Sequence, residues 1–441
     1  MSSVNKLGLF VPAILLIWSL SPQPTYADGI SVSWNGGTGN WSDTSNWTPA
    51  TVPNNNAGTT YSVTIDAPSP AVTINAQNIS IDSLAFSGGS LAVSPESTLN
   101  LTSGTSYIAS FGSYGNQEGV LNNSGALNNY GELDSEQNGQ IFNLAGGTIT
   151  NYGRVSITEF SGSMENELGA QLNNKGQLFI NDGSLLNYGT LNNTGTIRVN
   201  SLTSQPLENF GVLVNSGTLN VDFESYMDNY SSFTNSGTVT IESSNSGERG
   251  RFSTTTNYVQ TAGNTVVNGI LSASNGAIID IRGGTLSGNG TINGAVVMGG
   301  TLSPGNSPGT LTINGNYTQM SGGTLLEELA GIIPGTEFDQ LVVNGGVSLS
   351  GGLDVELLND FAPSLGDSFT IMTYDSESGE FGWMDLPTLA EGEAWLVSYN
   401  PTDITLSVVT PEPSSLLLLV TGLMLLAAFT RVRMGRNAGR V

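Results

Sequence analysis

Cysteine and histidine are both missing from this chain of 441 residues. Their absence excludes a thiolate nucleophile, a Ser-His-Asp triad, a disulfide framework and a zinc site built from His and Cys. Charged residues are also scarce, at 11%, whereas glycine contributes 57 residues. Because that glycine stands with Asn, Ser and Thr between short β-branched runs, the composition predicts an all-β fold of many short strands joined by tight turns.

Basic residues are few, and this leaves the chain strongly acidic. Of 11 bases, Lys6 and four C-terminal arginines lie in the two ends, and of 36 acids only Glu412 does. The segment 28–410 therefore carries six bases and 35 acids, a net charge of −29. Such a surface repels nucleic acid and anionic membranes, so we expect no nucleic-acid partner. Solubility outside the cell explains the charge, and loose binding of divalent cations is the alternative.

The segment 1–27 has the features of a secretory signal peptide. Lys6 precedes an apolar run over positions 7–20, and Thr25-Tyr26-Ala27 ends on a small residue. We therefore expect the secretion machinery to export the chain and cleavage to occur between Ala27 and Asp28. A short membrane anchor is the alternative, and the two prolines after the apolar run argue against it.

The segment 411–441 combines a short motif, an apolar stretch and a basic tail. Pro411-Glu412-Pro413 precedes the uncharged stretch 414–429, which is near the lower limit of about 17 residues for a membrane-spanning helix. The bases that follow are Arg431, Arg433, Arg436 and Arg440. With a signal at the N-terminus, this order predicts a transmembrane helix, a tail in the cytoplasm and the bulk of the chain outside. A plain tail anchor is the alternative.

This order of elements resembles the PEP-CTERM sorting signal of Gram-negative bacteria. The resemblance covers only 411–441, and Thr410 stands where the family usually has valine. It implies processing by an exosortase, a membrane cysteine transpeptidase, with Glu412 as a recognition residue. It also implies an association with exopolysaccharide, a transient stay in the inner membrane and a final location at the cell surface or outside the cell.

A repeat occupies the middle of the chain. The pattern Asn-x-Gly-x-(Leu/Ile/Val) occurs nine times between positions 123 and 239, mostly in pairs. The first Asn of successive pairs lies at Asn123, Asn143, Asn166, Asn187, Asn209 and Asn229. A period of about 20 residues with glycine turns predicts a β-solenoid, which we expect to be a right-handed parallel β-helix. Asn would form a side-chain amide ladder along the axis, and Gly would supply a corner with φ > 0.

Aromatic residues recur within the same pattern and could stack into a strip. These residues are Tyr130, Tyr152, Tyr188, Phe210 and Tyr230. Such a strip either packs and caps the solenoid or offers aromatic faces to sugar rings. The sequence leaves both interpretations open.

We expect the solenoid to span positions 61–326, as about 13 coils over about 60 Å. Open ends of a solenoid expose unpaired strand edges, so each end needs a cover. Segment 28–60 would be a Trp-rich N-terminal cap, and 327–410 a separate β-rich C-terminal cap. Trp34, Trp41 and Trp47 would plug the apolar end, and a carbohydrate-binding patch is the alternative.

Several segments resemble the passenger regions of autotransporter-like and filamentous-haemagglutinin-like β-helix proteins. They are Leu302-Ser-Pro-Gly-Asn-Ser-Pro-Gly309, Phe338-Asp-Gln-Leu-Val-Val343, Leu365-Gly-Asp-Ser-Phe-Thr-Ile371 and Gly379-Glu-Phe381. The resemblance covers most of the mature chain. It implies the architecture and says little about activity.

Acidic residues cluster locally without a basic companion nearby in sequence. The densest sites are Glu327-Glu328, Asp134 with Glu136, and Asp375 with Glu377. We therefore expect no catalytic residues, no metal site and no cofactor, and a solvated acidic surface. The sequence predicts an exported, non-enzymatic surface or matrix protein, adhesive toward exopolysaccharide. The alternative is an exported polysaccharide lyase or hydrolase on the same fold, which would need three or more acids and an Arg in one cleft.

Overall fold

The fold is all-β and was determined as a computed structural model. The structure describes residues 29–56, 58–66, 69–75, 77–109, 118–158, 161–202, 206–411 and 424–425. Strands β1 to β48 follow one another around three faces, so that, over most of the chain, every third strand returns to the same face.

The strands are grouped here by face. The first face contains β1 (Ile30–Trp34), β4 (Tyr61–Asp66), β7 (Ser83–Ser87), β10 (Thr105–Ala109), β13 (Glu132–Ser135), β16 (Arg154–Thr158), β19 (Gln177–Asn181), β22 (Thr196–Asn200), β25 (Thr218–Val221), β28 (Thr238–Ile241), β31 (Asn264–Val267), β34 (Thr285–Gly288), β37 (Thr301–Pro304), β40 (Thr324–Leu329), β43 (Gly352–Leu357) and β46 (Trp383–Asp385). The second face contains β2 (Thr38–Asn40), β5 (Ala71–Ile74), β8 (Gly89–Val93), β11 (Gly119–Asn123), β14 (Gln140–Asn143), β17 (Ser163–Asn166), β20 (Ser184–Asn187), β23 (Leu207–Asn209), β26 (Tyr226–Asn229), β29 (Arg251–Thr254), β32 (Ile270–Ala273), β35 (Thr291–Asn293), β38 (Thr310–Asn314), β41 (Gln340–Val343) and β44 (Ser368–Thr373). The third face contains β6 (Asn78–Ile81), β9 (Thr98–Leu101), β12 (Ala126–Asn129), β15 (Thr148–Asn151), β18 (Gln171–Asn174), β21 (Thr190–Asn193), β24 (Val212–Asn215), β27 (Ser232–Asn235), β30 (Tyr258–Gln260), β33 (Ile278–Ile281), β36 (Ala295–Met298), β39 (Tyr317–Gln319), β42 (Gly346–Leu349) and β45 (Ser376–Gly379). The remaining elements are a 3₁₀ turn (Thr44–Asn46), β3 (Trp47–Thr48), β47 (Ala394–Asn400) and β48 (Asp403–Val409).

Each face is a sheet whose strands from successive coils pair in parallel. On the third face, for example, Leu127 pairs with Ile149, Ile149 with Leu172 and Leu172 with Leu191. Backbone polar groups along such a ladder find their partners in the coil above or below. The parallel sheets confirm the expected all-β, solenoid-type architecture.

The core is a single column of side chains enclosed by the three faces. Strand residues alternate between the inside and the outside, and the inward ones are buried, such as Val155 and Ile157 on β16. One coil alone could not bury these residues, and stacking hides each layer under the next. Burial of a Leu, Ile or Val side chain contributes about 1.5–3 kcal/mol, and this column therefore drives the assembly of the coils.

Asparagine ladders run along two corners of the solenoid, as the repeat predicts. Asn123, Asn143, Asn166, Asn187, Asn209 and Asn229 are linked in series, each Nδ2 donating to the Oδ1 of the next member at 2.6–2.8 Å. Asn129, Asn151, Asn174, Asn193, Asn215 and Asn235 do the same at the other corner at 2.7–2.9 Å. All twelve residues are buried. The ladders provide hydrogen bonds to the buried amide groups at these two corners, which the apolar side chains of the core could not provide.

The expected φ > 0 at the glycines of Asn-x-Gly is wrong. None of these nine glycines lies in the left-handed region of φ. Glycine is needed there because the coils approach closely: a Cβ on Gly153 would lie 2.0 Å from the carbonyl oxygen of Gly131, and one on Gly195 would lie 2.1 Å from that of Gly176. Glycine is therefore required at this corner because it has no Cβ, and not because the backbone has a positive φ.

The solenoid extends beyond both limits placed at positions 61 and 326. At one end β1 pairs in parallel with β4, and at the other β43 pairs in parallel with β46, so the first face runs from Ile30 to Asp385. Segment 327–410 is therefore not a separate β unit, because its first strands continue the inward alternation with Leu353 and Val355. At this end, the antiparallel hairpin β47–β48, which pairs with β44, leaves the coil pattern.

Candidate functional site

The residues predicted to direct export and sorting lie mostly outside the described residues. Ala27, Asp28, Glu412, Pro413, Arg431, Arg433, Arg436 and Arg440 are all outside them. Pro411 is described, and it is exposed just after β48. Of the stretch 414–429, only Met424 and Leu425 are described, as exposed helical residues. Within the described part of the chain, no helix is long and apolar enough to cross a membrane.

The three N-terminal tryptophans form a buried plug. Trp34, Trp41 and Trp47 have exposed fractions of 5%, 0% and 1%. Trp47 makes edge-to-face contacts with both others, at ring-centroid distances of 4.9 Å and 4.8 Å. The Trp41 and Trp47 indole N–H groups donate to the carbonyls of Pro53 and Trp41. The alternative of a carbohydrate-binding patch is wrong here, because no face of these three rings is open to a sugar.

The outer aromatic residues form two strips, not one. Tyr130 and Tyr152 stack at 4.6 Å on the corner between the third and first faces. Tyr188, Phe210 and Tyr230 stack at 5.0 Å and 4.8 Å on the corner between the second and third faces. All five occupy the same position within the repeat, but Tyr130 and Tyr152 follow the asparagine ladder that begins at Asn129, and the other three follow the ladder that begins at Asn123.

Stacking uses the ring faces that a sugar would need. The rings in each strip are within 11° of parallel, so each inner face is covered by the next ring. The outer face of Tyr152 is covered by the Lys175 ammonium, 4.9 Å from the ring centroid. The faces between stacked rings are therefore closed to a sugar, and this favours the packing interpretation over a sugar-stacking platform.

The acidic pair Glu327-Glu328 does not form facing carboxylates. The two residues are neighbours on β40, so their side chains leave the strand on opposite sides. Glu327 is buried inside the solenoid, whereas Glu328 is half-buried outside. Asp375 is exposed after β44, and Glu377 lies on β45.

Arg154 is the basic companion that the local sequence around Asp134 lacks. It comes from the next coil, where it forms an ion pair with Glu132 at 3.3 Å and lowers the pKa of the Asp134 carboxyl, although burial raises that pKa more. Because contacting residues in neighbouring coils are separated by a whole repeat in sequence, inspection of adjacent residues could not find this contact. The spacing of the repeat is the signal that could have found it.

Glu208 and Asp228 form a second acidic arrangement that sequence reasoning missed. They face each other on neighbouring strands β23 and β26 of the second face. Burial raises the pKa of both carboxyls, and the charge of Asp228 raises that of Glu208 further. In the chain they are again separated by one full coil.

Two arginines and a phenylalanine line a cleft on the outer side of the first face, which we name the arginine cleft. Its volume is about 290 Å³, and its lining residues are Arg154, Thr158, Phe179, Ile180, Asn181, Arg198 and Asn200. They come from three consecutive strands, β16, β19 and β22. The Arg154 guanidinium lies over the Phe179 ring, 4.8 Å from its centroid. This volume is just below the range of about 300–1,000 Å³ that is usual for small-molecule sites.

A buried carboxyl pair lies near the other end of the solenoid. Asp339 accepts backbone N–H groups from Gly309 at 2.8 Å and Glu328 at 3.1 Å, which ties the Pro-Gly-Asn-Ser-Pro-Gly loop to the next coil. Burial raises the Asp339 pKa to about 7. Burial also raises the pKa of Glu327 well above its ordinary value, and the charge of Asp339 adds to this. Both oxygens of Glu327 lack a hydrogen-bond partner among the described residues.

We expect the free energy of unfolding to fall as the pH rises above about 4. Over that range the unfolded chain loses the protons of Glu327 and Asp339 near pH 4, while the folded chain keeps them, for Asp339 up to about pH 7. Denaturant titrations at about pH 4.5 and pH 8 measure this loss. Glu327→Gln removes one contribution and should make the loss smaller. Glu391→Gln, the same change at an exposed site, should leave the loss unchanged; an equal effect of both variants would contradict the assignment.

Comparison with protein-family models finds no match to this chain, and comparison with curated proteins finds none either.

Proposed function

We propose that this chain is an exported, non-enzymatic component of the cell surface or extracellular matrix that adheres to exopolysaccharide. The observation that carries the proposal is the arginine cleft. It combines guanidinium and amide groups, which donate hydrogen bonds to the oxygen atoms of a sugar, with the apolar surface of Phe179. A rigid solenoid suits such a role, because it holds the cleft in one geometry without a ligand.

The sorting part of the proposal is supported by the sequence. The segment 1–27 would be removed as a signal peptide, and an exosortase would process the chain at Pro411–Pro413. The stretch 414–429 would hold the chain in the inner membrane until then, with the basic tail in the cytoplasm. We also propose that the solenoid is right-handed.

The mass of the intact protein recovered from the surface or medium of its native host tests export and sorting. We expect a chain that begins at Asp28 and ends near Pro413. Excess mass in sugar-sized increments would add glycosylation. A mass that still includes the tail through Val441 would contradict processing and leave a membrane-anchored solenoid.

A polysaccharide lyase or hydrolase is the second candidate, and the facing carboxyls of Glu208 and Asp228 favour it. Paired carboxyls with raised pKa values suit acid–base cleavage of a glycosidic bond. Incubation of the protein with uronate polymers discriminates the two functions. Release of reducing ends or unsaturated products, lost in Glu208→Gln, would establish the enzyme. Binding of the polymer without cleavage would support adhesion.

A further inference from the structure

The arginine cleft brings together two of the few basic residues of a strongly acidic protein. The segment 28–410 has only six bases, and Arg154 and Arg198 both line this one cleft. They lie on β16 and β22, with β19 between them, so the two guanidinium groups belong to coils about 10 Å apart. No other basic residue lines the described cleft.

Both guanidinium groups are held in place by contacts that leave some of their N–H donors free to bind a ligand. Arg198 donates from Nε to Asp222 at 2.7 Å, and the Asp222 side chain is only 9% exposed. That ion pair uses Nε and not the two Nη groups. Arg154 donates from Nε to Ser156 at 3.0 Å. Its Nη1 forms an ion pair with Glu132 at 3.3 Å, and its guanidinium lies over Phe179. Because the side chains are already ordered, a ligand would not have to immobilise them.

The other lining groups suit a sugar ring. Asn200 donates to Asn181 at 3.2 Å, and both side chains are exposed, so their remaining donor and acceptor positions can bind hydroxyl groups. Thr158 adds a hydroxyl group and Phe179 an apolar surface. This is the mixture of a few polar groups and an apolar wall that small-molecule sites show.

We infer that the arginine cleft binds an acidic sugar unit of an extracellular polysaccharide, through the carboxylate or ester sulfate on its ring. Arginine forks match such planar or tetrahedral anions with paired hydrogen bonds. The net charge of −29 over 28–410 repels a polyanion from most of the protein surface, so we expect it to bind where the two guanidinium groups lie together. The inference rests on the proposed adhesive function and names its ligand class.

Calorimetric titration of the full chain tests this with three probes: trigalacturonate, a sulfated disaccharide and neutral maltotriose. We expect binding of at least one acidic probe and none of maltotriose, and the acidic probe that binds identifies the anion. Arg198→Gln and Arg154→Gln should each weaken that binding about tenfold or more, because each removes a charge-assisted hydrogen bond. Arg198→Lys keeps the charge but loses the fork, and it should give an intermediate loss.

Arg282→Gln is the matched control. Arg282 forms the same kind of ion pair, from Nε to Asp280 at 2.8 Å, on a side chain that is 61% exposed and outside the cleft. It should bind acidic sugar like the wild type. Denaturation midpoints of all variants identify any that fail to fold. If a glutamine variant of the cleft does not fold, the binding affinity of Arg198→Lys is used in its place.

Two results would overturn the inference in different ways. If the chain binds the exopolysaccharide of its host and the cleft variants bind it equally well, the cleft is not the site, while the adhesive function stands. If the wild type binds neither the acidic probes nor the host polysaccharide, the adhesive function fails together with the cleft.

Discussion

Gly195→Ala should lower the free energy of unfolding by about 3 kcal/mol or more. The new Cβ would lie 2.1 Å from the carbonyl oxygen of Gly176 and 2.7 Å from the carbonyl carbon of Lys175. Both atoms belong to the backbone of the coil below, and they cannot rotate away as a side chain could. The two coils must move apart locally, and this stretches the hydrogen bonds between their parallel strands on the first face. Chemical denaturation followed by circular dichroism measures the change.

Gly58→Ala provides the matched control for this effect. No atom lies within 4 Å of a Cβ at Gly58, and no left-handed φ holds it. The same substitution should therefore leave the free energy of unfolding unchanged or raise it by up to about 1 kcal/mol, since alanine reduces the freedom of the unfolded chain. If both variants were equally stable, close approach of the coils would not explain the glycines of the repeat.

Asn187→Ala, in the middle of an asparagine ladder, should cost about 3 kcal/mol or more. The buried Asn187 amide donates to Asn209 at 2.6 Å and to the Val212 carbonyl at 3.1 Å, and it accepts from Asn166 at 2.7 Å. Its removal leaves these polar groups buried without this partner, and the desolvation penalty of each is then not repaid. The free energy of unfolding from denaturant titration measures the cost.

Asn192→Ala is the control for the ladder. Asn192 is half-buried on the outside of β21 and donates to Asn173 at 3.0 Å. Water can replace that bond, so the expected cost is below about 1 kcal/mol. Similar costs for the two variants would mean that the buried ladders add little beyond the apolar column.

The repeat allowed the solenoid and its asparagine ladders to be predicted because both follow from periodicity. An inward residue that recurs every coil must stack on its equivalents, and a buried amide that recurs with it finds another amide there. The limits of the solenoid were less predictable. The Asn-x-Gly-x-(Leu/Ile/Val) pattern ends at Val239, whereas strands as late as β43 still bury inward residues, so the sequence motif ends before the ladder does.

The arginine cleft and the Glu208–Asp228 pair could not be found by local inspection. Their members come from different coils, and which residues face each other depends on the exact length of each coil. That length differs along the repeat, as the unequal spacing of Asn123, Asn143 and Asn166 shows. Contacts across coils are therefore decided by register, which the motif alone does not specify.

The sequence by itself determined the class of the fold, the buried ladders and the acidic character of the surface. Each of these follows from the repeat period, the inside–outside alternation or the composition, which can be read from one coil and recur in the next. The tertiary structure alone decided why glycine is required, where the solenoid ends, and which outward side chains meet. Those features depend on the distance and register between coils, and only the stacked backbone sets that distance and register.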